Sequence, residues 1–285
     1  MKEAQEEDWT LVIKPQSNWF ELHLDDLWRY RDLIYMFVKR DFVSQYKQTI
    51  LGPLWFIIQP LLTTITYMVI FGGIAQISTD GLPQSLFYMS GIMMWNYFAS
   101  CLNRTSDTFV ANANIFGKVY FPRLTVPISN VISGLVAFAI QLGMFIVFYI
   151  YFYAKGMDIH LNAYALLLPY LIILMAMMGL GTGIIISSLT TKYRDLKFLV
   201  TFGVQLLMYA APVVYPLSSP KLEKYRTFIE LNPMTSVIET FRYGVMGHGT
   251  FSWVMLGYST LFTAVIVIFG VVIFNRVEKT FMDTV

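Results

Sequence analysis

Apolar residues in this chain fall in six runs, roughly 53–76, 83–103, 127–154, 161–189, 198–215 and 251–275, and none of the six contains Asp, Glu, Lys or Arg. A helix needs about 20 residues to cross the hydrocarbon core of a bilayer. Each run is near that length or longer, with 198–215 the shortest. Backbone groups in lipid must be satisfied within a helix or a closed barrel, and the two-residue alternation of a barrel strand is absent. The pattern therefore predicts an all-α, polytopic membrane protein with six transmembrane helices. Ahead of them, residues 24–47 carry a different period. Leu27, Tyr30, Ile34 and Phe37 fall on one helical stripe, widened by Trp28, Tyr35, Val38, Phe42 and Tyr46. Arg29, Asp32, Lys39, Arg40 and Lys47 fall largely opposite. A basic helix edged with aromatics lies in the headgroup plane, and Gly52-Pro53 would turn it into the membrane, because the next charged residue after Lys47 is Asp80.

Composition agrees with that picture. Of the 285 residues, 56% are hydrophobic and only 13% charged, about half the charge of an ordinary soluble domain (roughly 25%). The net charge of +2 argues against nucleic acid as a partner. One cysteine, Cys101, allows no intramolecular disulfide and no metal cluster. The acidic start, MKEAQEEDW, lacks the pattern of a cleavable signal, so the first span is expected to insert by itself. With the N-terminus in the cytoplasm, fifteen Lys and Arg fall on inner segments and five on outer ones, which places both termini inside. The division is then a cytoplasmic segment 1–52, in which Trp9–Ile13 reads as a short strand, a membrane domain 53–275, and a cytoplasmic tail 276–285.

Two connecting segments are too long to be mere links. Residues 104–126, on the inner side, predict a short helix capped by Asp107 or Asn112 and stopped at Phe121-Pro122. Ile115, Phe116, Val119 and Tyr120 beside Lys118 and Arg123 would form a docking knob for a soluble partner. Residues 216–250, on the outer side, predict two half-helices hinged at Asn232-Pro233, which would form either a lid or outer gate or an interfacial structure with no gating role. The chemistry missing from the spans is equally informative. Ion-coupled transporters keep ionisable groups at membrane depth, whereas His23, His160 and His248 all lie outside the runs. No phosphate-binding loop occurs, so energy for uphill transport would come from another subunit. Aromatic residues reach 16%. Phe56, Tyr67, Trp95, Tyr97, Tyr209 and Tyr215 sit within or at the edges of spans, where ring faces can stack against sugars or simply pack. Gly179-Leu-Gly-Thr-Gly183 predicts close helix approach.

In order along the chain stand RYRDLIYMFVKRDFVSQYKQTILGPLWFIIQPL, TDGLP, SGIMMWNYF, ANANIFGKVYFPRLTVP, TTKYRDLK, APVVYP, LNPMTSVIETFRYG and RVEKTFMDTV. This series resembles the membrane subunit of type-2 ABC exporters. It is most similar to the branch exporting lipid-linked polysaccharides such as O-antigen, with the related capsule and teichoic-acid transporters. The resemblance implies a homodimer bound to two copies of a nucleotide-binding ATPase, which would hold ATP and Mg, leaving this chain without cofactor, metal or catalytic residues. It implies that 24–47 is the interface helix against the ATPase. The coupling segment would be Asn112, Ile115, Phe116, Lys118, Phe121, Pro122 and Arg123. The outer gate would be the helices carrying Asn232, Pro233, Glu239 and Arg242. It further implies a channel between protomers, lined mainly by the first, second and fifth spans, in the bacterial inner membrane. An undecaprenyl-diphosphate-linked glycan would need cations at the entrance, for which Arg29, Arg31, Arg40 and Lys47 are candidates by location and charge, with acidic lipids as their other partners.

Three rival readings follow from the same residues. One is an exporter of a drug or another lipid with the same architecture. Another is a membrane glycosyltransferase or acyltransferase using Glu223, Glu230, Glu239 and His248, although their spacing matches no recognised catalytic set. The last is a passive channel. The topology is directly testable. A cysteine at Lys224 should react with an impermeant maleimide in intact cells, and one at Lys118 only after the membrane is opened. The reverse pattern would invert the orientation.

Overall fold

The computed structural model describes residues 24–47, 49–116, 118, 119, 121–190, 193 and 195–284, and every regular element among them is helical. In chain order these are α1 (Leu24–Arg29), α2 (Arg31–Tyr46), α3 (Trp55–Tyr67), α4 (Gln84–Ser106), α5 (Thr108–Ala111), α6 (Ala113–Phe116), α7 (Thr125–Ala154), α8 (Leu168–Thr190), α9 (Leu196–Tyr209), α10 (Arg226–Glu230), α11 (Pro233–Met246) and α12 (Trp253–Thr284). The strand expected at Trp9–Ile13 lies outside the described residues, as does Tyr120.

The single helix expected over 24–47 is divided at Tyr30, whose carbonyl accepts from both Leu33 and Ile34 as the chain turns. α2 packs along α7 with Phe37 buried, while Trp28, Tyr35 and Met36 stay exposed. Gly52 then adopts a left-handed backbone (φ 47°), which glycine reaches without a Cβ penalty, and Pro53 begins a 3-10 turn leading into α3. Pro60 removes one donor from α3, where Thr64 Oγ1 donates to the Pro60 carbonyl at 2.8 Å. A π-helical segment, Met68–Ile74, completes the stretch.

Among the described residues, four helical stretches are long and apolar enough to cross a membrane: Gly52–Ile74, Thr125–Ala154, Ala163–Thr190 and Trp253–Val277. Two other expected runs took different forms, for physical reasons. α4 is long enough, at about 35 Å, but it carries Gln84, Ser85, Ser90, Asn96, Ser100, Asn103 and Arg104. It is nevertheless buried along most of its length, and a helix sheathed by other helices has little need of an apolar exterior. α9 has only 14 residues, about 21 Å, and ends in the turn Ala211–Val214, which is buried. At the C-terminus, helix α12 continues through Arg276 to Thr284, so the expected tail is an extension of the last span.

The centre of the protein is α4 packed on α8, with α8 also against α12 and α4 against α7. Glycines permit this. A Cβ placed on Gly179 would come within 2.5 Å of Cys101 Cβ, and one on Gly183 within 2.5 Å of Thr105 Cβ and 2.9 Å of the Leu102 carbonyl. On the other side of α8, a Cβ on Gly181 would meet the Val267 amide at 3.0 Å, and one on Gly270 would meet the Gly181 carbonyl at 2.9 Å. Helices in lipid gain little from the hydrophobic effect, so dispersion between closely approaching backbones holds them together.

At the α11 end a buried cation closes the bundle. Arg242 is 1% exposed and spends all five N–H donors. Nε donates to Ser90 Oγ (3.1 Å), Nη1 to the Pro212 carbonyl (2.5 Å) and Glu239 Oε1 (3.3 Å), and Nη2 to the carbonyls of Phe87 and Val213 (3.1 Å each). The guanidinium carbon lies 3.7 Å from the Phe87 ring centroid. Glu239, 2% exposed, accepts on its other oxygen from Thr250 N and Oγ1 at 2.9 and 3.1 Å. Burial pulls the arginine down to about 10, opposed by the Glu239 charge, so it stays charged at neutral pH. One side chain thus joins α4, the turn after α9 and α11, with Thr250 tied in through Glu239.

Two stability outcomes follow. Gly183→Ala should lower the thermal stability of the purified protein by about 1–3 kcal/mol, because α4 and α8 must separate. Gly143→Ala, where a Cβ meets nothing within 4 Å, should be neutral or slightly stabilising. Arg242→Leu should cost about 3–5 kcal/mol by stranding Glu239, and the double change with Glu239→Leu should cost less than Arg242→Leu alone. Unfolding in lipid nanodiscs measures all four variants.

Candidate functional site

Segment 104–126 forms two one-turn helices, α5 and α6, and the helix ends at Phe116, ahead of the expected stop at Phe121-Pro122. Asp107 stands at the N-cap position of α5 and Asn112 directly ahead of α6, but neither side chain makes the capping bond. Asp107 instead pairs with Lys197 at 2.6 Å, and the Asn112 amide donates back to the Thr108 carbonyl at 3.0 Å. Phe116 and Phe121, expected on a docking face, are buried. With Phe109, Phe37 from α2 and Phe274 from α12 they form a ring cluster. Its centroid separations are 4.8 Å (Phe109–Phe274), 5.6 Å (Phe116–Phe121), 5.7 Å (Phe37–Phe121) and 6.1 Å (Phe109–Phe116). Arg123 lies over the Phe116 ring and Arg40 over Phe37. Asn112, Ile115, Pro122 and Arg123 are half-buried; the outward tip is Val110, Ala111, Asn114, Lys118 and Val119 (60% exposed). Phe109 and Phe274 escaped notice in the sequence, since a lone Phe in a polar loop and one near a span end look alike unremarkable.

The candidate cations Arg29, Arg31, Arg40 and Lys47 are exposed, Arg29 at the end of α1, Arg31 and Arg40 on α2 and Lys47 just past its end. Arg31 and Arg40, nine residues apart, fall on opposite faces of α2, so the four do not share a single pocket. Arg40 pairs with Asp41 at 2.8 Å, and Arg31 lies 5.6 Å from the Trp28 centroid.

The six candidate channel aromatics divide by burial. Trp95 and Tyr97 are buried on α4 against Phe98 and Phe138. Phe56 is half-buried, stacked on Phe42. Tyr67 meets Phe71 and Tyr88 edge-on, and its hydroxyl reaches Met208 Sδ. Tyr215 donates to the Tyr209 carbonyl at 2.9 Å, and the Tyr209 side chain is exposed.

In 216–250, the hinge at Asn232-Pro233 is present. Asn232 caps α11 by accepting from Met234 N at 3.0 Å. Glu239 and Arg242 sit inside the protein in the network described above, whereas Tyr225, Phe228 and Leu231 are exposed. Of the carboxylates considered for catalysis, Glu230 pairs with Arg226 at 2.8 Å and Glu239 with Arg242, while Glu223 is exposed. His248 Nε2 lies 3.1 Å from the Asp158 carbonyl.

A cavity of about 470 Å³ opens between α3, α4 and α7. Gln59, Asn96, Ser100 and Gln141 contribute its polar groups, and Trp55, Phe56, Tyr97 and Phe138 its aromatic walls. These uncharged polar residues lie in three apolar runs, where a search for charge passes over them.

Residues 32–246 match the family model described as ABC-2 type transporter. The chain is 31% identical to an O-antigen export system permease protein RfbA of Klebsiella pneumoniae, over 88% of this chain and 94% of that protein. It is 26% identical to the protein of the same name from Myxococcus xanthus (76% and 81% covered). It is 23% identical to the polysialic acid transport protein KpsM of Escherichia coli (86% and 93% covered). Four apolar membrane-length helices, a ring-anchored knob at one end and a match across three quarters of the sequence agree: the chain belongs to the ABC-2 type transporter family of membrane proteins.

Proposed function

We propose that this chain is the permease of an ATP-driven exporter for an O-antigen-like or capsular polysaccharide, carried on undecaprenyl diphosphate. The observation that carries the substrate class is the similarity over most of the chain to polysaccharide export permeases. In this reading α4 and α9 complete six spans, with both termini on the inner face. Two copies pair around a channel, and each binds one ATPase subunit that holds ATP and Mg. The cations of α1 and α2 meet the pyrophosphate or acidic lipids.

The geometry supports a specific coupling path. The tip at Val110, Asn114, Lys118 and Val119 meets the ATPase. Phe109, Phe116 and Phe121 act as its anchor, because rings packed at 4.8–6.1 Å resist compression like any protein interior. A push on the tip is therefore passed to α2 through Phe37 and to α12 through Phe274. The Lys197–Asp107 pair passes it to α9. Arg242 holds the opposite end together, so the bundle halves move as bodies. Tyr67, Tyr209 and Tyr215 then lie along the route of the sugar chain.

Lys118→Glu with Val119→Asp changes only exposed positions. It should leave thermal stability within about 0.5 kcal/mol while abolishing surface polysaccharide and permease-stimulated ATP hydrolysis. Normal export by that variant would remove the tip from the coupling path. Purification from membranes in mild detergent should recover a phosphate-loop ATPase in equal amount. A pure homo-oligomer would return the passive channel to consideration, and export of a hydrophobic dye in place of glycan would favour the drug or lipid exporter.

A further inference from the structure

The cavity between α3, α4 and α7 has features that helix packing alone does not explain. Counting along the helices from the α5–α6 end, Gln59, Ser100, Asn96, Gly134 and Gln141 lie about 6 to 24 Å in. That places the cavity on the α5–α6 side of the bundle, reaching about the middle of α7. Gln141 is only 7% exposed, and its Oε1 has no hydrogen-bond partner among the described residues. The Tyr97 hydroxyl, also buried, has the weakly accepting Cys101 thiol beside it and no bond to oxygen or nitrogen. Buried polar groups are nearly always satisfied, and an unpaired amide within a membrane bundle is costly. Three other uncharged polar side chains, Gln59, Asn96 and Ser100, line the same space.

The chemistry of the lining narrows the occupant. It contains no Asp, Glu, Lys, Arg or His, so a phosphate or an amine would find no counter-charge. A hydrocarbon chain would leave the amides unpaired. Amides both donate and accept, as do hydroxyls, and the rings of Trp55, Phe56, Tyr97 and Phe138 can cover the C–H faces of a small ring. The volume, about 470 Å³, lies in the range of small-molecule sites, roughly 300–1,000 Å³.

We propose that this cavity is a binding site for one uncharged polyhydroxyl group, a single sugar ring or its equivalent on a lipid head. Gln141 and Asn96 fix its hydroxyls and the aromatic walls hold its faces. The proposal rests on and deepens the export reading, since two of the walls, Phe56 and Tyr97, are candidate channel aromatics, but binding there requires neither ATP nor an ATPase.

The test uses the full chain in lipid nanodiscs with Cys101→Ala and Ser100→Cys, which places one thiol at the cavity wall. Its rate of modification by a methanethiosulfonate reagent is measured with and without octyl glucoside below its micellar concentration. We expect the glucoside at about 2 mM to slow labelling about fivefold for a dissociation constant of about 0.5 mM, and more for tighter binding, because the unprotected fraction falls as 1/(1 + [L]/Kd). Octanol and octyltrimethylammonium should leave the rate unchanged. Gln141→Leu, which keeps the side-chain volume, should abolish protection, and so should Asn96→Leu at an exposed position where folding is not at stake. Protection by methyl glucoside as well would identify a site for sugars arriving from water. Protection by octyl glucoside alone would identify one for heads delivered through the membrane. A thiol that never reacts, equal protection by octanol, or protection that survives both leucine variants would overturn the proposal. Polysaccharide export, scored separately in cells, would be unaffected as a conclusion by any of these results.

Discussion

The approach of α4 to α8 is the constraint on which the remaining structure depends. With no Cβ at Gly179 and Gly183, the backbone of α8 lies against Phe98, Leu102 and Thr105 of α4. Gly181 and Gly270 bring α12 equally near on the opposite side. The three helices form one slab, and α7 and α11 are positioned by what that slab leaves exposed. In lipid this arrangement cannot be replaced by simply adding apolar bulk, since larger side chains would hold the backbones apart and forfeit the dispersion contacts that bind them.

The two ends of the slab are closed by different physics. At one end a fully buried arginine gathers three segments, its donors meeting the Pro212 and Val213 carbonyls where the chain turns and the Phe87 carbonyl in the first turn of α4. Such a pin is directional, and its loss strands the partner carboxylate in a medium that solvates charge poorly. At the other end the closure is a cluster of five phenylalanines, which specifies distance more than direction. The bundle thus has a stiff polar pin at one end and a packed aromatic joint at the other.

Between the ends, the protein keeps charge out of the membrane and admits uncharged polarity in selected places. Asn96, Gln141 and Gln59 gather around one cavity, while Thr64 and Thr182 return their hydroxyls to carbonyls of their own helices. The second use is housekeeping that any membrane helix tolerates. The first concentrates amides where they have no such return path, and this separates a candidate binding surface from ordinary packing.

Much of this was legible in the linear chain. Length and charge-free character alone identified the four membrane-length helices among the described residues, because water is absent from the bilayer core and a backbone there can satisfy itself in few ways. Gly179 to Gly183 was readable as a packing surface for the same reason. The hinge at Asn232-Pro233 could be read because Asn and Pro act locally on the backbone. Side-chain fate was not readable. Phe116 and Phe121 carry the same letters whether they face a partner or a core, and Phe37 and Phe274, which bury them, are remote in sequence. Glu239 and Arg242, three residues apart in 216–250, gave no sign that Thr250 awaited the carboxylate and the carbonyls of Phe87, Pro212 and Val213 the guanidinium. Periodicity and polarity are properties of neighbours along a chain, so the sequence determined the helices and their solvent. Which rings and amides share one space is set by contacts between distant segments, and only the tertiary structure decided that.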